Sequence, residues 1–418
     1  MRNKIINEIT ELYNVEESSF LKLLQECSTI KPYNTLTIKN RRIINKSSIP
    51  LAEQIILDYY KCILNFYGKI NFPNRSYVMT ELINIMPYLH LYKSYTIYKF
   101  DFESFFTHID PSKSFKALCN IEGLRQEEIN FFRKYTSGIR EFLPGIGLHN
   151  SFVEISGQMF DAQVKAAFRS KGLLYYARYV DDCILILDEK VEESVVENYI
   201  YTAMKKCFGK DLKLNDEKTD YHNSEDSSYT IDYLGYAFYK GQSSSSQYKF
   251  GISEDKLKKY KEKINLYILE YKDNKDVNLL SFKLEAFFKR IVYYGERKGD
   301  GKYRWQVRGI SDSYKEIKRF MDSESLNKIT SDTSKFFNKF IADCFRKNKV
   351  EIPPKINNQL KNNKFISSFK NNKAVLLHRK IGLSPFELKN RLKLFPQIGN
   401  VDNLNYNELA SLLIRKLH

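Results

Sequence analysis

Residues 173–187 read LLYYARYVDDCILIL, two apolar runs separated by the adjacent acidic residues Asp181 and Asp182. Each run has the length and apolar content of a β-strand, and the acidic pair stands where the chain must turn. We therefore expect a β-hairpin with two carboxylates at its tip. Because adjacent carboxylates in an apolar surrounding repel each other and lose hydration, a compensating cation is expected beside them.

A second strand-like segment, TIYKFDFESFF at residues 96–106, runs from apolar residues into Asp101. Carboxylate oxygens without a cluster of His or Cys nearby favour Mg²⁺ over zinc. Asp101, Asp181 and Asp182 together would suit two Mg²⁺ ions, with Mn²⁺ as an alternative, of the kind that promote in-line phosphoryl transfer. For the dipeptide taken by itself, a solvent-exposed Asp-Asp turn without chemistry is the alternative interpretation.

The chain has 418 residues and a formal net charge of +17, and its excess of cations is confined to the C-terminal part. Residues 241–418 hold 37 Lys+Arg against 19 Asp+Glu, whereas residues 1–240 are close to neutral. With 30 Tyr and 29 Phe, the composition is typical of a basic surface with interleaved aromatic rings, which suits nucleic acids. A low-GC genome would give a similar composition. We expect a near-neutral catalytic body followed by a basic binding element.

The six cysteines are scattered without a C-x-x-C pair, so neither a zinc knuckle nor a disulfide framework is expected. Residues 1–20 contain acids where a secretory signal would be apolar, and no run approaches the roughly 18 apolar residues of a membrane span. We therefore expect a soluble, cytoplasmic protein without a membrane partner.

Apolar periodicity predicts further helices and strands along the chain. Helices are expected over 7–25, 51–66, 113–142, from the turn at 143–152 to Ala167, over 190–206 and after Ser253, with a basic hairpin around Lys39 to Arg42 and a strand at 229–239. GQSSSSQ at 241–247 predicts a linker, and the region beyond it is expected to be mostly helical.

These motifs occur in the order found in reverse transcriptases. Tyr179-Val180-Asp181-Asp182 resembles the Y-x-D-D motif of that family, and KFDFESFF resembles its first palm motif. The resemblance implies an α+β right-hand polymerase with a ferredoxin-like palm. Its fingers and palm would occupy residues 1–245, a helical thumb residues 246–300, and a basic α-helical region residues 301–418.

The resemblance also implies catalytic roles. Asp101, Asp181 and Asp182 would hold the metal ions, with the carbonyl oxygen of Phe102 completing a site, and Lys218 in LNDEKT would donate a proton to pyrophosphate. Phe106 stands where the family places a steric gate against a ribose 2′-hydroxyl, which implies a preference for dNTPs. The residues implied to contact the nucleotide are Lys39, Arg41, Arg42, Phe102, Phe106, Ile146 and Gly147.

The turn LPGIGLHNSF at 143–152 resembles the family's P-Q-G-x-P-x-S turn, but Ile146 replaces the common Gln and His149 replaces the common Pro. These departures leave open a template-independent or protein-primed polymerase of the same fold. A catalytically silent nucleic-acid-binding scaffold is the alternative from a different class, although such a scaffold would have no reason to retain the buried acids.

Other motifs concern nucleic acid. FPNRS at 72–76 resembles a template-contacting finger motif, DYLGY at 232–236 resembles the primer-grip turn, and the Lys-rich helix after Ser253 stands in the place of the thumb, which holds phosphates electrostatically. Trp305 is a candidate stacking residue or, alternatively, a packing anchor. The residues expected to contact nucleic acid are Arg75, Tyr179, Leu234, Gly235, Lys256, Lys259 and Lys263.

Within the family the sequence looks bacterial. It lacks the N-A-x-x-H and V-T-G strings of retron enzymes and the His/Cys cluster of an attached endonuclease. What remains resembles the abortive-infection and unknown-group enzymes of antiphage defence. That resemblance implies a noncoding RNA template, dNTPs as substrates, a DNA product, and a partner protein or a homo-oligomer.

Overall fold

The computed structural model describes all residues except 27–32, 39–40, 243–247, 297–302, 322–327, 372, 397 and 418. The chain divides into two compact units, Met1–Asp226 and Ser227–His418, which are described separately below. Lys39 and most of the linker predicted at 241–247 lie outside the described residues.

The first unit combines helices with a short hairpin and a larger sheet. Its helices are α1 (Arg2–Tyr13), α2 (Glu17–Glu26), α3 (Leu51–Tyr67), α4 (Arg75–Ile85), α5 (Phe105–His108), α6 (Pro111–Leu118), α7 (Gln126–Ser137), α8 (Gly147–Phe168) and α9 (Glu193–Cys207). Its strands are β1 (Thr35–Ile38), β2 (Arg41–Ile44), β3 (Thr96–Asp101), β4 (Leu173–Tyr179), β5 (Asp182–Leu187) and β6 (Asp220–Asn223). Short 3-10 helices occupy Lys46–Ser48, Met86–Leu91, Arg169–Lys171 and Asp216–Lys218.

A four-stranded antiparallel sheet in the order β4-β5-β3-β6 forms the centre of the first unit. Along the chain, β3 is followed by the long helix α8, the β4–β5 hairpin, α9 and β6, which is the β-α-β-β-α-β connectivity of a split βαβ sheet. All of β3 is buried, and β5 is buried except at Asp182. The end of β5 at Asp182 is therefore the least buried part of the two central strands, whereas β4 and β6 are partly exposed along most of their length.

Aromatic side chains fill the core beneath that end of the sheet. Phe102 lies between Phe160 of α8 and Phe208 after α9, with ring centroids 5.4 Å from each, and it stacks on Phe105. Burial of several large rings contributes roughly 2 kcal/mol per side chain by the area removed from water. The core therefore fixes the backbone on both sides of Asp101.

The second unit contains two three-stranded sheets, in the orders β7-β8-β9 and β11-β10-β12. Its strands are β7 (Tyr229–Tyr233), β8 (Tyr236–Lys240), β9 (Lys249–Ile252), β10 (Arg290–Glu296), β11 (Tyr303–Arg308) and β12 (Ala374–Leu377). Its helices are α10 (Glu254–Asn274), α11 (Val277–Phe288), α12 (Ile310–Ser313), α13 (Ser331–Asn338), α14 (Phe340–Lys347), α15 (Pro354–Lys361), α16 (Lys364–Lys370), α17 (Pro385–Leu392) and α18 (Tyr406–Leu417), with a 3-10 helix at Lys315–Phe320.

Mixed helices and strands agree with the predicted α+β class, and both predicted hairpins form. Two predicted helices are each divided, however. The helix expected over 7–25 is interrupted at Asn14, whose φ of 51° is left-handed and ends α1. The helix expected over 113–142 becomes α6 and α7, because the chain turns between them at Gly123 with φ 85°.

The structure adds strands to the elements predicted for the C-terminal part of the chain. The strand expected at 229–239 is a hairpin, because Leu234 and Gly235 adopt positive φ and form a two-residue turn between β7 and β8. The region beyond residue 301 is mostly helical, as predicted, but it also contains β11 and β12, which both pair with β10. The boundary expected at residue 245 falls between β8 and β9, which pair with each other.

Candidate active site

Strand pairing brings three acidic residues together. Asp101, the last residue of β3, pairs with Asp182, the first residue of β5, and Asp181 lies in the two-residue turn before it. Each carboxylate offers an oxygen within 4.8 Å of the others. The sequence placed both adjacent acids at the tip of the hairpin, but Asp182 already belongs to the ladder, where it also pairs with Tyr179. We refer to Asp101, Asp181 and Asp182 as the triad.

Val180 carries the conformational strain of the turn between β4 and β5. Its φ of 62° is left-handed, which is unfavourable for a β-branched residue. Arg178 donates a hydrogen bond from Nη1 to the Val180 carbonyl oxygen at 3.2 Å. The side chain of Arg178 is therefore placed to hold the turn that presents Asp181.

Two acidic residues of α8 hold the Arg178 guanidinium beneath the turn. Arg178 donates to Glu154 at 2.7 and 3.2 Å and to Asp161 at 2.9 and 3.1 Å. The side chains of Arg178 and Glu154 are only 1% and 6% exposed. Burial raises the pKa of Glu154, and the neighbouring Arg178 opposes that rise. This buried ion cluster connects α8 to the hairpin.

A close approach of α8 to the hairpin makes room for this cluster. A Cβ atom at Gly157 would lie 2.3 Å from Nη2 of Arg178. Such a distance is far inside van der Waals contact, so the glycine is required for the guanidinium to occupy its place.

The triad has an excess of negative charge. Burial and then the Asp101 carboxylate raise the pKa of Asp181, and the same causes, with Asp181 added, raise the pKa of Asp182 to about 6. Lys218 donates to Asp101 at 2.6 Å, whereas the nearby Lys99 is paired with Asp220 at 2.9 Å. Hard oxygen ligands with this charge imbalance fit a divalent cation such as Mg²⁺.

We predict that Asp182→Asn stabilises the metal-free protein. Because the folded pKa of about 6 lies above the ordinary value of 3.8, the ionised carboxylate opposes folding. The contribution of the protonated Asp182 side chain to the free energy of unfolding is therefore complete below about pH 4, and it is lost as the pH rises through 6. The variant should gain roughly 1 to 3 kcal/mol at neutral pH in EDTA, measured by urea denaturation.

Added Mg²⁺ supplies the matching control for this prediction. It should raise the melting temperature of the wild-type protein more than that of Asp182→Asn, because a ligand that binds only the folded state stabilises it. A variant less stable than the wild-type protein in EDTA at neutral pH would contradict the charge imbalance inferred for the triad.

A cavity of 590 Å³ opens beside the triad in the first unit. It brings together residues that are far apart in the sequence and carry opposite charges. Seven of the sequence-predicted site residues contribute to its lining, namely Arg41, Arg42, Asp101, Phe102, Phe106, Asp181 and Lys218. The cavity therefore has cations from the β1–β2 hairpin on its wall and carboxylates from the sheet.

The β1–β2 hairpin is anchored to the turn before α8. The backbone N–H of Ile44 donates to the carbonyl oxygen of Pro144 at 2.8 Å, and Arg42 pairs with Glu141. Gly145 has φ 120°, and a Cβ there would lie 2.7 Å from the carbonyl oxygen of Ile44. These contacts fix the approach of the hairpin to the cavity. Glu141 was not singled out from the sequence, which gave no sign that it faces Arg42.

Two predicted nucleotide contacts, Ile146 and Gly147, lie apart from the cavity wall. Ile146 is buried immediately before α8, and Gly147 begins that helix against Lys61. Phe102 borders the cavity, but its side chain is buried among aromatic rings, so only its main chain can face a ligand. Arg75, the first residue of α4, is partly buried.

His149, one of the two departures in the turn sequence, is a buried structural residue. Its Nε2 lies 2.8 Å from the hydroxyl of Tyr135, and its Nδ1 lies 2.8 Å from the carbonyl oxygen of Leu143. Burial lowers the pKa of His149 to about 4, so the ring is neutral at physiological pH. The hydrogen bonds of this histidine therefore connect the turn before α8 to helix α7.

Predicted nucleic-acid contacts in the second unit differ in accessibility. Lys256 and Lys259 are exposed on α10, and Leu234 with Gly235 forms the β7–β8 turn. Lys263 is partly buried and donates to the carbonyl oxygen of Leu417 at 2.9 Å, and burial lowers its pKa. In this structure Lys263 therefore supports the end of α18.

Comparison with known proteins finds likeness only at the level of solved structures. No protein-family model matches the chain, and no curated protein is similar to it in sequence. Apo telomerase from Candida tropicalis, truncated from its C-terminal domain, aligns over 50% of this chain and 46% of that chain, with 15% identity and a TM-score of 0.33. Telomerase from Candida albicans, in complex with the TWJ fragment of telomeric RNA, aligns over 75% and 54%, with 15% identity and a TM-score of 0.35. The chain thus spans about half the length of these two telomerase chains.

Helix length and hydropathy bear on membrane association. Among the helices that the structure describes, none is both long enough and apolar enough to traverse a lipid bilayer.

Proposed function

We propose that this protein is an RNA-directed DNA polymerase that extends a primer with dNTPs. One observation carries the proposal. The carboxylates of Asp101 and Asp181 line the same cavity as the cationic side chains of Arg41, Arg42 and Lys218. Transfer of a nucleotidyl group from a dNTP to a primer hydroxyl uses acidic metal ligands on one side and cations for the triphosphate on the other. Both are present, and they come from separate elements of the first unit.

The triad would hold the divalent cations, Mg²⁺ or alternatively Mn²⁺. When bound, two such ions would make the attacking hydroxyl more acidic and neutralise charge on the leaving oxygen. The Phe102 carbonyl oxygen is a further candidate ligand, because its main chain borders the cavity. The raised pKa values of Asp181 and Asp182 support this assignment, since a cation would relieve their repulsion.

The chain's own side chains would bind and orient the nucleotide. Arg41 and Arg42 would hold the triphosphate, and the partly buried Phe106 would pack against the sugar and exclude a 2′-hydroxyl. The primer 3′-hydroxyl would lose its proton to solvent as its oxygen forms a bond to the α-phosphorus, while the bond to the pyrophosphate oxygen breaks. Lys218 would donate its proton to that leaving oxygen, and the Asp101 carboxylate favours its protonated form beforehand.

The units would correspond to the parts of a right-hand polymerase. The β4-β5-β3-β6 sheet would be a ferredoxin-like palm, and the β1–β2 hairpin would belong to the fingers. The helix α10, with Lys256 and Lys259 exposed, would act as the thumb. Arg75 and Tyr179 would contact the template, and the Leu234-Gly235 turn would contact the primer.

A cellular role is proposed on the sequence resemblance. The enzyme would act in bacterial antiphage defence in the cytoplasm, copying a noncoding RNA into DNA, with a partner protein or a second copy of itself. Template-independent synthesis and protein priming are the alternatives within the same fold, and a silent nucleic-acid-binding scaffold is the alternative outside it.

The test is incorporation of labelled nucleotides by the full-length protein, purified with its bound nucleic acid. We expect DNA synthesis from dNTPs and not from rNTPs, dependent on Mg²⁺ or Mn²⁺, and a product complementary to a co-purified RNA. A product of fixed composition that is unchanged by RNase treatment would favour template-independent synthesis. Failure to extend either bound nucleic acid or a supplied RNA–DNA primer–template would favour the scaffold.

A further inference from the structure

Three aromatic rings form a cluster on the β11-β10-β12 sheet of the second unit. Tyr294 of β10 and Trp305 of β11 are direct cross-strand partners with ring centroids 5.6 Å apart. His378, just after β12, lies 4.8 Å from Trp305 and 5.9 Å from Tyr294. Tyr294 is 40% exposed and Trp305 is 46% exposed. We call these three residues the aromatic platform.

The platform lies on the opposite face of the sheet from the core. Ile291, Tyr293 and Leu377 alternate with its residues and are buried in one hydrophobic cluster that also contains residues of α17 and α18. Trp305 is therefore too exposed to be the packing anchor that the sequence left as an alternative. Placing large rings in water costs solvation free energy, which a bound partner would recover.

Hydrogen bonds orient one ring of the platform and brace the hairpin that carries the other two. The backbone N–H of Lys380 donates to Nδ1 of His378 at 3.2 Å, which orients the imidazole against Trp305. On the same hairpin, Gln306 accepts from the Tyr293 hydroxyl and donates to the Gly295 carbonyl oxygen, both at 2.9 Å. A surface whose rings are already ordered loses little conformational entropy when it binds.

The surrounding charge favours an anionic partner. Strands β10 and β11 and the segment 373–380 carry a single acidic residue, Glu296, in their sequence. Six cationic residues stand in the same segments, namely Arg290, Arg304, Arg308, Lys373, Arg379 and Lys380. Arg290 pairs with Asp312 of α12, and the Arg308 guanidinium lies over the Tyr293 ring on the core face. The platform residue His378 is followed directly by the exposed cations Arg379 and Lys380. Flat rings beside cations match the two chemical parts of a single-stranded nucleic acid, which are stacking bases and phosphates.

We propose that the aromatic platform binds an unpaired stretch of RNA by base stacking. The three rings are all within 6 Å of one another, so the platform accommodates one or two bases rather than a long track. Paired bases present only their edges, so duplex RNA is a poor ligand for it. The choice of RNA over DNA rests on the proposed function, in which the template RNA must stay with the enzyme.

The chain has a single tryptophan among 30 tyrosines, so tryptophan emission, excited at a wavelength that tyrosine does not absorb, reports on this surface. The experiment titrates the full-length protein with a short single-stranded RNA, without dNTPs or divalent metal, and follows Trp305 emission. We expect quenching by the single strand and none by the blunt duplex of the same sequence. Tyr294→Ala and His378→Ala should weaken the titration roughly 5- to 100-fold.

Trp305→Ala is tested by the fluorescence anisotropy of labelled RNA, with an expected loss of affinity in the same range. Phe386→Ala is the matched control, because Phe386 is 73% exposed on α17 of the same unit and lies outside the platform. Unchanged binding by Trp305→Ala, or an equal loss in Phe386→Ala, would overturn the proposal. If Trp305→Ala does not fold, the Tyr294→Ala and His378→Ala titrations decide.

The remaining outcomes assign the platform to another occupant. Equal quenching by single-stranded DNA would overturn the RNA assignment in favour of the DNA product. Emission that changes with protein concentration alone would overturn it in favour of a second copy of this chain. The assay needs no nucleotide incorporation, so the triad variant Asp181→Ala with Asp182→Ala should bind RNA at the platform as the wild-type protein does. Failure of the polymerase proposal is therefore distinguishable from failure of the platform proposal.

Discussion

The double variant Asp181→Ala, Asp182→Ala is expected to lose dNTP incorporation by about a thousandfold or more while remaining folded. Both changes remove carboxylates that lie with Asp101 within 4.8 Å of one another, and alanine supplies no oxygen ligand in their place. The fold should survive, because the raised pKa values show that these acids oppose folding when ionised. Primer extension and circular dichroism measure the two effects on the same preparation.

A charge-matched control separates loss of the site from loss of charge. Glu189→Ala with Asp211→Ala removes two exposed acidic residues from the same unit but leaves the triad intact. This control should extend a primer at close to the wild-type rate. Undiminished synthesis by the Asp181, Asp182 variant would refute the assignment of the triad as the catalytic centre.

The second large effect is on stability, and we expect Arg178→Met to destabilise the protein by about 3 to 5 kcal/mol. Methionine has a similar length but leaves the Glu154 carboxylate buried without a counterion. It also removes the hydrogen bond to the strained Val180 and therefore loosens the turn that carries Asp181. Urea denaturation followed by circular dichroism gives the change in the free energy of unfolding.

Adding Glu154→Gln to Arg178→Met tests the cause of that loss. If the cost comes from an uncompensated buried carboxylate, the double variant should be more stable than Arg178→Met alone. A destabilisation of less than about 1 kcal/mol for Arg178→Met would contradict the structural role given to the cluster.

Local patterns were sufficient to predict the hairpin that carries the triad. The apolar runs of residues 173–187 have strand length, and the turn between them is only two residues long, so sequence neighbours become spatial neighbours. The start of α8 was predictable for the same reason, because a Gly/Pro turn precedes it. Local patterns were not sufficient to predict the pairing of Asp101 with Asp182, because neither strand alone determines the register between two strands that are distant in the sequence.

Long-range contacts account for what the sequence did not predict. β12 pairs in parallel with β10 although about eighty residues separate them, and the short AVLL segment has no periodicity that distinguishes it from a loop or helix end. The exposure of Trp305 depends on that sheet, so it could not be predicted. The role of Glu154, by contrast, was predictable from the sequence, because an acidic residue within the apolar run FVEISG must have a buried partner.

Gly157 on the long helix has a consequence for how this sequence can vary. The guanidinium of Arg178 occupies the volume in which any side chain at position 157 would have to begin. A larger residue at 157 is therefore tolerated only if the residue at 178 shortens at the same time, and a shorter residue at 178 leaves a void that a larger residue at 157 would fill. The two positions should covary among homologues. A small residue at 157 should occur with a long side chain at 178, and a larger residue at 157 with a shorter side chain at 178.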